Sequence, residues 1–124
     1  MTDQPLLLHK EPPLAWMIFN RPQMRNAVSL EMWQTLPELL EEVATDSALR
    51  VLLIRGAGEE AFISGADISQ FSKVRFEAAT AAEYDRATGR ALVALLQLEK
   101  PVIAMIHGFC MGGGCSVAVM CDLR

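Results

Sequence analysis

The chain reads as an α/β protein, and three observations support this. The runs VLLIR (51–55) and PVIAMIHG (101–108) are nearly all apolar and rich in branched residues, as strands covered on both faces tend to be. Stretches with helical spacing of apolar residues lie before and between them. Strand and helix therefore alternate along the chain, which is the order of an α/β architecture.

From the N-terminus, LLLH (6–9) and LAWMIF (14–19) flank KEPP. Two prolines between apolar runs predict a turn joining a pair of strands. NRPQMRNAVS (20–29) is then a loop, and Ser29 is its last residue, placed to cap a helix over 30–46. Met32, Leu36, Leu39 and Val43 recur every three or four residues and give that helix one apolar face. Pro37 lies inside the pattern and predicts a kink or a separated first turn. VLLIR is a buried strand, GAGEE a turn, and AFISGADIS (61–69) a strand that breaks at Gly65. In that loop Ser64 or Asp67 is placed to cap a short helix, ISQFS. An alanine- and leucine-rich stretch from about Phe76 to Leu98 predicts a long helix, weakened locally by Gly89. PVIAMIHG follows as a strand, and SVAVMCD (116–122) as the start of a last helix.

Composition narrows the function. Hydrophobic residues make up 52% of 124, a high share for a small domain, which buries less of its surface than a large one. This predicts apolar surface that meets another subunit or a further part of the protein. VAVMCDLR ends without turn or cap, so residues 1–124 are expected to be the N-terminal part of one domain whose C-terminal part is missing. Eleven basic against fifteen acidic side chains give a charge of −4, with no basic block or aromatic-studded patch. Sequence-general nucleic-acid binding is not expected on that ground. An anionic small molecule would need local cations, for which Arg21, Arg25, Lys73, Arg75 and Lys100 are available. Cys110, Cys115 and Cys121 are odd in number and lack C-x-x-C spacing. They read as reduced, buried, small apolar residues of a cytoplasmic protein. His9 and His107 show no ligand spacing with them, so no metal is expected. No signal peptide is visible and no apolar run reaches the ~20 residues of a membrane helix, so no membrane partner is expected.

FCMGGGCS (109–116) sets the main question, because each glycine inside a regular element costs about 0.5–1 kcal/mol relative to alanine. A strand runs into Gly112, Gly113 and Gly114 and then into a helix start. The first N–H groups of a helix lack internal partners and carry partial positive charge. Glycines let a ligand approach them, which suits a phosphate or an oxyanion. The phosphate motifs do not match: no Lys-Ser/Thr follows the last glycine, and G-x-G-x-x-G is absent. An oxyanion site or close backbone packing remains. FISGADIS forms a second glycine loop after a strand. If the two parent strands lie side by side, one N–H from each loop can converge on a single oxygen.

Three segments together resemble the enoyl-CoA hydratase/isomerase, or crotonase, superfamily. FISGADIS is similar to its AGADI-type loop, IHGFCMGGGCSVAVMCDLR to its second signature, and NRPQMRNAVS to its early N-x-P-x-x-x-N-A loop. The resemblance implies a spiral of β-β-α units that binds acyl-CoA thioesters, and homo-oligomers, usually trimers or hexamers. It implies no cofactor, since coenzyme A arrives with the substrate. By position the N–H groups of Ala66 and Gly113 would hold the thioester oxygen and stabilise an enolate-like intermediate, with Gly112 letting the thioester approach. Arg25, Ala27, Ser64, Ala66, Asp67 and Ile68 would line the coenzyme A site, Arg25 near its phosphates. Hydratases of the family carry a glutamate two residues after the last glycine, where this chain has Ser116. A serine hydroxyl is no general base at neutral pH without a proton acceptor. Two alternatives stay open. One is a serine hydrolase using Ser116 in GCSVA with His107 as base. The other is a chain that binds acyl-CoA without turning it over, or that only packs against partners.

Overall fold

The computed structural model describes residues 3–69 and 78–124. Strands β1 (Leu6–Glu11) and β2 (Leu14–Phe19) form an antiparallel hairpin across the Pro12–Pro13 turn. A short 3-10 turn (Pro22–Met24) and the loop to Ser29 lead into helix α1 (Leu30–Thr45). β3 (Val51–Gly56) and β4 (Ala61–Ile63) follow, then helix α2 (Ala78–Gln97). β5 (Val102–Ala104), β6 (Phe109–Cys110) and helix α3 (Gly113–Met120) complete the order.

β1, β2, β3 and β5 form one sheet in that order, with β2, β3 and β5 parallel. Alternation along the strands turns Ala15, Met17, Phe19, Leu52, Ile54, Val102 and Ala104 to one face, where all are buried. Trp33, Leu36, Leu40 and Val43 of α1 and Ala87, Ala91 and Leu95 of α2 join them in a single core. β4 and β6 make a second, two-stranded parallel sheet. This small sheet carries the two glycine loops.

The α1 cap is as read: Ser29 Oγ accepts from the Met32 N–H at 3.2 Å. The helix runs through Pro37 without a break. Its buried stripe includes Trp33 and Leu40, whereas Leu39 is only half-buried. At its other end, Lys100 Nζ donates to the Val43 and Asp46 carbonyls at 2.7 and 2.8 Å. Those are groups a helix C-terminus leaves unpaired. Lys100 is thus a cap, not a cation held ready for a ligand.

The strand expected over 101–108 stops at Ala104, and a separate strand follows at Phe109–Cys110. The first strand holds register with β3 only through Ala104, and Met105 and Ile106 are exposed. The chain then re-pairs as β6, because the Phe109 N–H donates to the Glu60 carbonyl at 3.2 Å and the Met111 N–H to the Ile63 carbonyl at 3.0 Å. The last helix starts at Gly113, three residues before the sequence reading placed it. Cys121 is buried and its thiol is pushed up to about 11 by that burial. Cys110 is half-buried and Cys115 exposed, so the three are not uniformly interior. Residues 70–72 of the expected ISQFS helix, residues 76–77 of the expected long helix, Lys73 and Arg75 lie outside the described residues. Among the described residues no helix is long and apolar enough to cross a membrane.

Candidate active site

Three loops meet at one end of the small sheet. The early loop is pinned by Asn26, a residue the sequence reading passed over. Asn26 is fully buried in the left-handed region at φ 56°, a conformation asparagine tolerates better than most residues. Its amide donates to the Ala61 and Ala57 carbonyls at 2.8 and 3.0 Å, and its oxygen accepts from the Arg21 N–H. The asparagine of the N-x-P-x-x-x-N-A pattern was the available signal.

Arg21 bridges the early loop to the second one. Its Nη1 donates to Asp67 Oδ2 at 2.8 Å and to the Ala27 carbonyl at 3.1 Å. Asp67 is buried and also accepts from the Ser69 N–H and hydroxyl. Burial by itself would raise the Asp67 carboxyl, but the hydrogen bonds from Ser69 and Arg21 outweigh it and hold the group below its usual range. The Asp67 side chain is therefore engaged within the protein, and so is Arg21. Ala27 is buried and Ile68 is exposed beside the loop. The Ser64 N–H donates to the Arg25 carbonyl at 3.1 Å.

Arg25 stands apart at the rim, in the left-handed region at φ 50°. Its Nε donates to Glu60 Oε2 at 2.9 Å, and its guanidinium lies 5.4 Å from the Phe109 ring centre. Arg25, Glu60, Ser64 and Pro22–Met24 line an open pocket of about 430 Å³. Of the cations counted from the sequence that lie within the described residues, Arg21 is taken by Asp67 and Lys100 by the end of α1, while Arg25 lines this pocket.

Val28 fixes the direction of the second loop. It bridges Ala66 in parallel: the Val28 N–H donates to the Gly65 carbonyl at 2.9 Å, and the Asp67 N–H donates to the Val28 carbonyl at 3.0 Å. In that arrangement the Ala66 N–H points to the other side. The third loop lies close by, since a Cβ on Gly112 would sit 3.5 Å from the Gly65 Cα. Gly113 is the first residue of α3, where the N–H has no carbonyl within the helix. The Gly114 N–H is taken by the Met111 carbonyl at 2.8 Å. Among the described residues neither the Ala66 nor the Gly113 N–H has a hydrogen-bond partner.

Each glycine of the run has its own cause. Gly112 sits at φ 53°, where a side chain is strained. A Cβ on Gly113 would lie 2.8 Å from Cζ2 of Trp33, and one on Gly114 would lie 2.5 Å from the Ile63 carbonyl oxygen. Packing therefore demands the second and third glycines, the close backbone packing that the sequence leaves open beside an oxyanion site.

Ser116 and His107 do not form a nucleophile–base pair. Ser116 Oγ reaches back to the Gly112 carbonyl at 3.5 Å, and His107 Nε2 bonds the Gly58 carbonyl at 3.0 Å.

Comparison with known proteins identifies the family. Residues 10–124 match the enoyl-CoA hydratase/isomerase family. The chain is 36% identical over its whole length to the crotonyl-CoA hydratase of Syntrophomonas wolfei, covering 47% of that protein. It is 32% identical to the peroxisomal Delta(3,5)-Delta(2,4)-dienoyl-CoA isomerase of Arabidopsis thaliana, over 87% of this chain and 42% of that protein. The crystal structure of an enoyl-CoA hydratase/carnithine racemase from Magnetospirillum magneticum superposes with a TM-score of 0.91 at 40% identity, covering 98% of this chain and 45% of that one. The chain thus spans about half the length of the curated relatives it matches. It belongs to the enoyl-CoA hydratase/isomerase family, with the α/β crotonase fold of that family's N-terminal part.

Proposed function

We propose that this chain forms the oxyanion-binding part of an enzyme acting on acyl-CoA thioesters. The observation that carries the reading is the pair of unpartnered N–H groups, Ala66 and Gly113, on adjacent loops, each followed by a residue whose own N–H is bonded, Asp67 to the Val28 carbonyl and Gly114 to the Met111 carbonyl. Two such donors aimed at one thioester oxygen stabilise the charge that develops when the α carbon loses or gains a proton. One donor of this kind is worth about 2.7–4 kcal/mol of barrier in other enzymes. Exposed Ile68 and Met111 leave apolar surface beside the amides, which suits an acyl chain. Arg25 and the pocket beside it suit the phosphates of coenzyme A.

Hydration, isomerisation and other thioester chemistry share this half of the machinery. They differ in the acid and base, and position 116 supplies a hydroxyl in place of a carboxylate. We further propose a cytoplasmic homo-oligomer, trimer or hexamer, with no cofactor beyond the coenzyme A of its substrate.

The test uses acetoacetyl-CoA and free coenzyme A as calorimetric ligands. Ala66→Pro deletes one N–H while leaving the Gly65 carbonyl and Asp67 N–H in place. The variant is expected to bind acetoacetyl-CoA about a hundredfold more weakly and to lose far less affinity for coenzyme A, so that the ratio of the two falls. Equal affinities of wild type and variant for the thioester would remove the oxyanion reading.

A further inference from the structure

The two donor loops are joined from behind by a hydrogen-bonded strut that the sequence motifs do not contain. Trp33 of α1 is buried, with its indole edge directly beneath Gly113, where a Cβ would come within 2.8 Å of Cζ2. Its Nε1–H donates to the Tyr84 hydroxyl at 2.8 Å. Tyr84 in turn donates to the Val28 carbonyl at 2.9 Å. That carbonyl also accepts the Asp67 N–H, so it is part of the bridge that orients Ala66. The path therefore runs Gly113, Trp33, Tyr84, Val28, Ala66, through one packing contact, two side-chain hydrogen bonds and one backbone bridge. It draws on α1, α2 and both loops. Burial pushes the Tyr84 hydroxyl upward, the indole N–H partly opposes that, and Asp67 and Asp85 add to the rise. The phenol thus keeps the proton that it donates.

From this geometry we infer that Tyr84 and Trp33 are positioning residues that set the separation and aim of the Ala66 and Gly113 amides. The inference rests on the oxyanion reading above and adds the part that makes the two donors act together. A pair of amides on separate loops polarises one oxygen only when both stay within about 2.7–3.1 Å of it. Loops alone do not hold that tolerance, whereas side chains locked by packing and hydrogen bonds do.

Tyr84→Phe tests this while keeping the ring in place. The readout is the ratio of acetoacetyl-CoA to coenzyme A affinity, together with the difference spectrum of the bound acetoacetyl enolate. A merely structural defect lowers both affinities and leaves their ratio alone. The strut predicts that the ratio falls about three- to tenfold, the effect of one hydrogen bond, with a smaller enolate signal and unchanged coenzyme A binding. Trp33→Phe is expected to lower the ratio as well, and the double variant to lower it no further than the larger single effect, because the two act through one path. A Tyr84→Phe ratio within error of wild type, in a protein whose Ala66→Pro variant has lost the ratio, overturns the strut and leaves the oxyanion reading standing. A wild-type chain that does not prefer the thioester over coenzyme A overturns both.

Discussion

The two sides of the site are built differently. On the amide side, Gly112, Gly113 and Gly114 are held by backbone conformation, by the Trp33 indole and by the Ile63 backbone, and Asn26 ties the neighbouring loop to β4 through buried bonds. On the rim, Arg25 meets Glu60 with both side chains more than half exposed, and its other contact is with a half-exposed Phe109. Exposed pairs of this kind contribute about 0–1 kcal/mol. The contrast follows from what each side would have to do. Stabilising a charge at a fixed atom needs preorganised donors, whereas gripping a flexible phosphate tail needs charge within reach and tolerates motion.

Substitutions should separate the sides by size of effect. Trp33→Ala is expected to cost about 3–5 kcal/mol, since it empties a fully buried indole site and removes the Tyr84 bond. Urea unfolding measures it, and a loss under 1 kcal/mol would mean the amide side is not rigidly backed. Asp67→Asn should come next, at about 1.5–3 kcal/mol near neutral pH, because it takes the charge from bonds to Arg21 and Ser69. Its pH dependence has a definite sign. The folded carboxyl lies below its ordinary value, so its contribution is present above the unfolded value of about 3.9 and fades as pH falls through the folded one. The wild-type and Asp67→Asn stability curves should therefore converge on acidification below about pH 4, and a gap that stays constant counts against the pair.

Gly114→Ala should cost about 1–3 kcal/mol, because the added methyl meets the Ile63 carbonyl oxygen, which is backbone and cannot swing aside. At the rim, Glu60→Gln should change stability by less than about 1 kcal/mol. It should nevertheless tighten binding of adenosine 3′,5′-bisphosphate about two- to fivefold, by removing the carboxylate that shares Arg25. A large stability loss there would erase the contrast between the two sides.

Much of this was legible in the residues, and the parts that were not have a common cause. The hairpin, the Ser29 cap and β3 follow from local patterns: apolar runs, turn prolines and a hydroxyl before a helical period. The crotonase fold was legible because three loop motifs kept their order. β6 was not legible, because two residues carry no period, and what makes them a strand is the Glu60 and Ile63 carbonyls some fifty residues earlier. Lys100 and Arg21 looked like free cations for the same reason. Their partners, the end of α1 and Asp67, are distant in sequence.

By itself the sequence determined the alternation of elements, the positions of the glycines and the absence of a carboxylate at 116, since these depend on local propensity and residue identity alone. Only the tertiary structure decided why each glycine is there, which charges are already partnered, and that Trp33 and Tyr84 stand behind the two amides. Those are properties of contact between segments far apart along the chain, and no local pattern carries them.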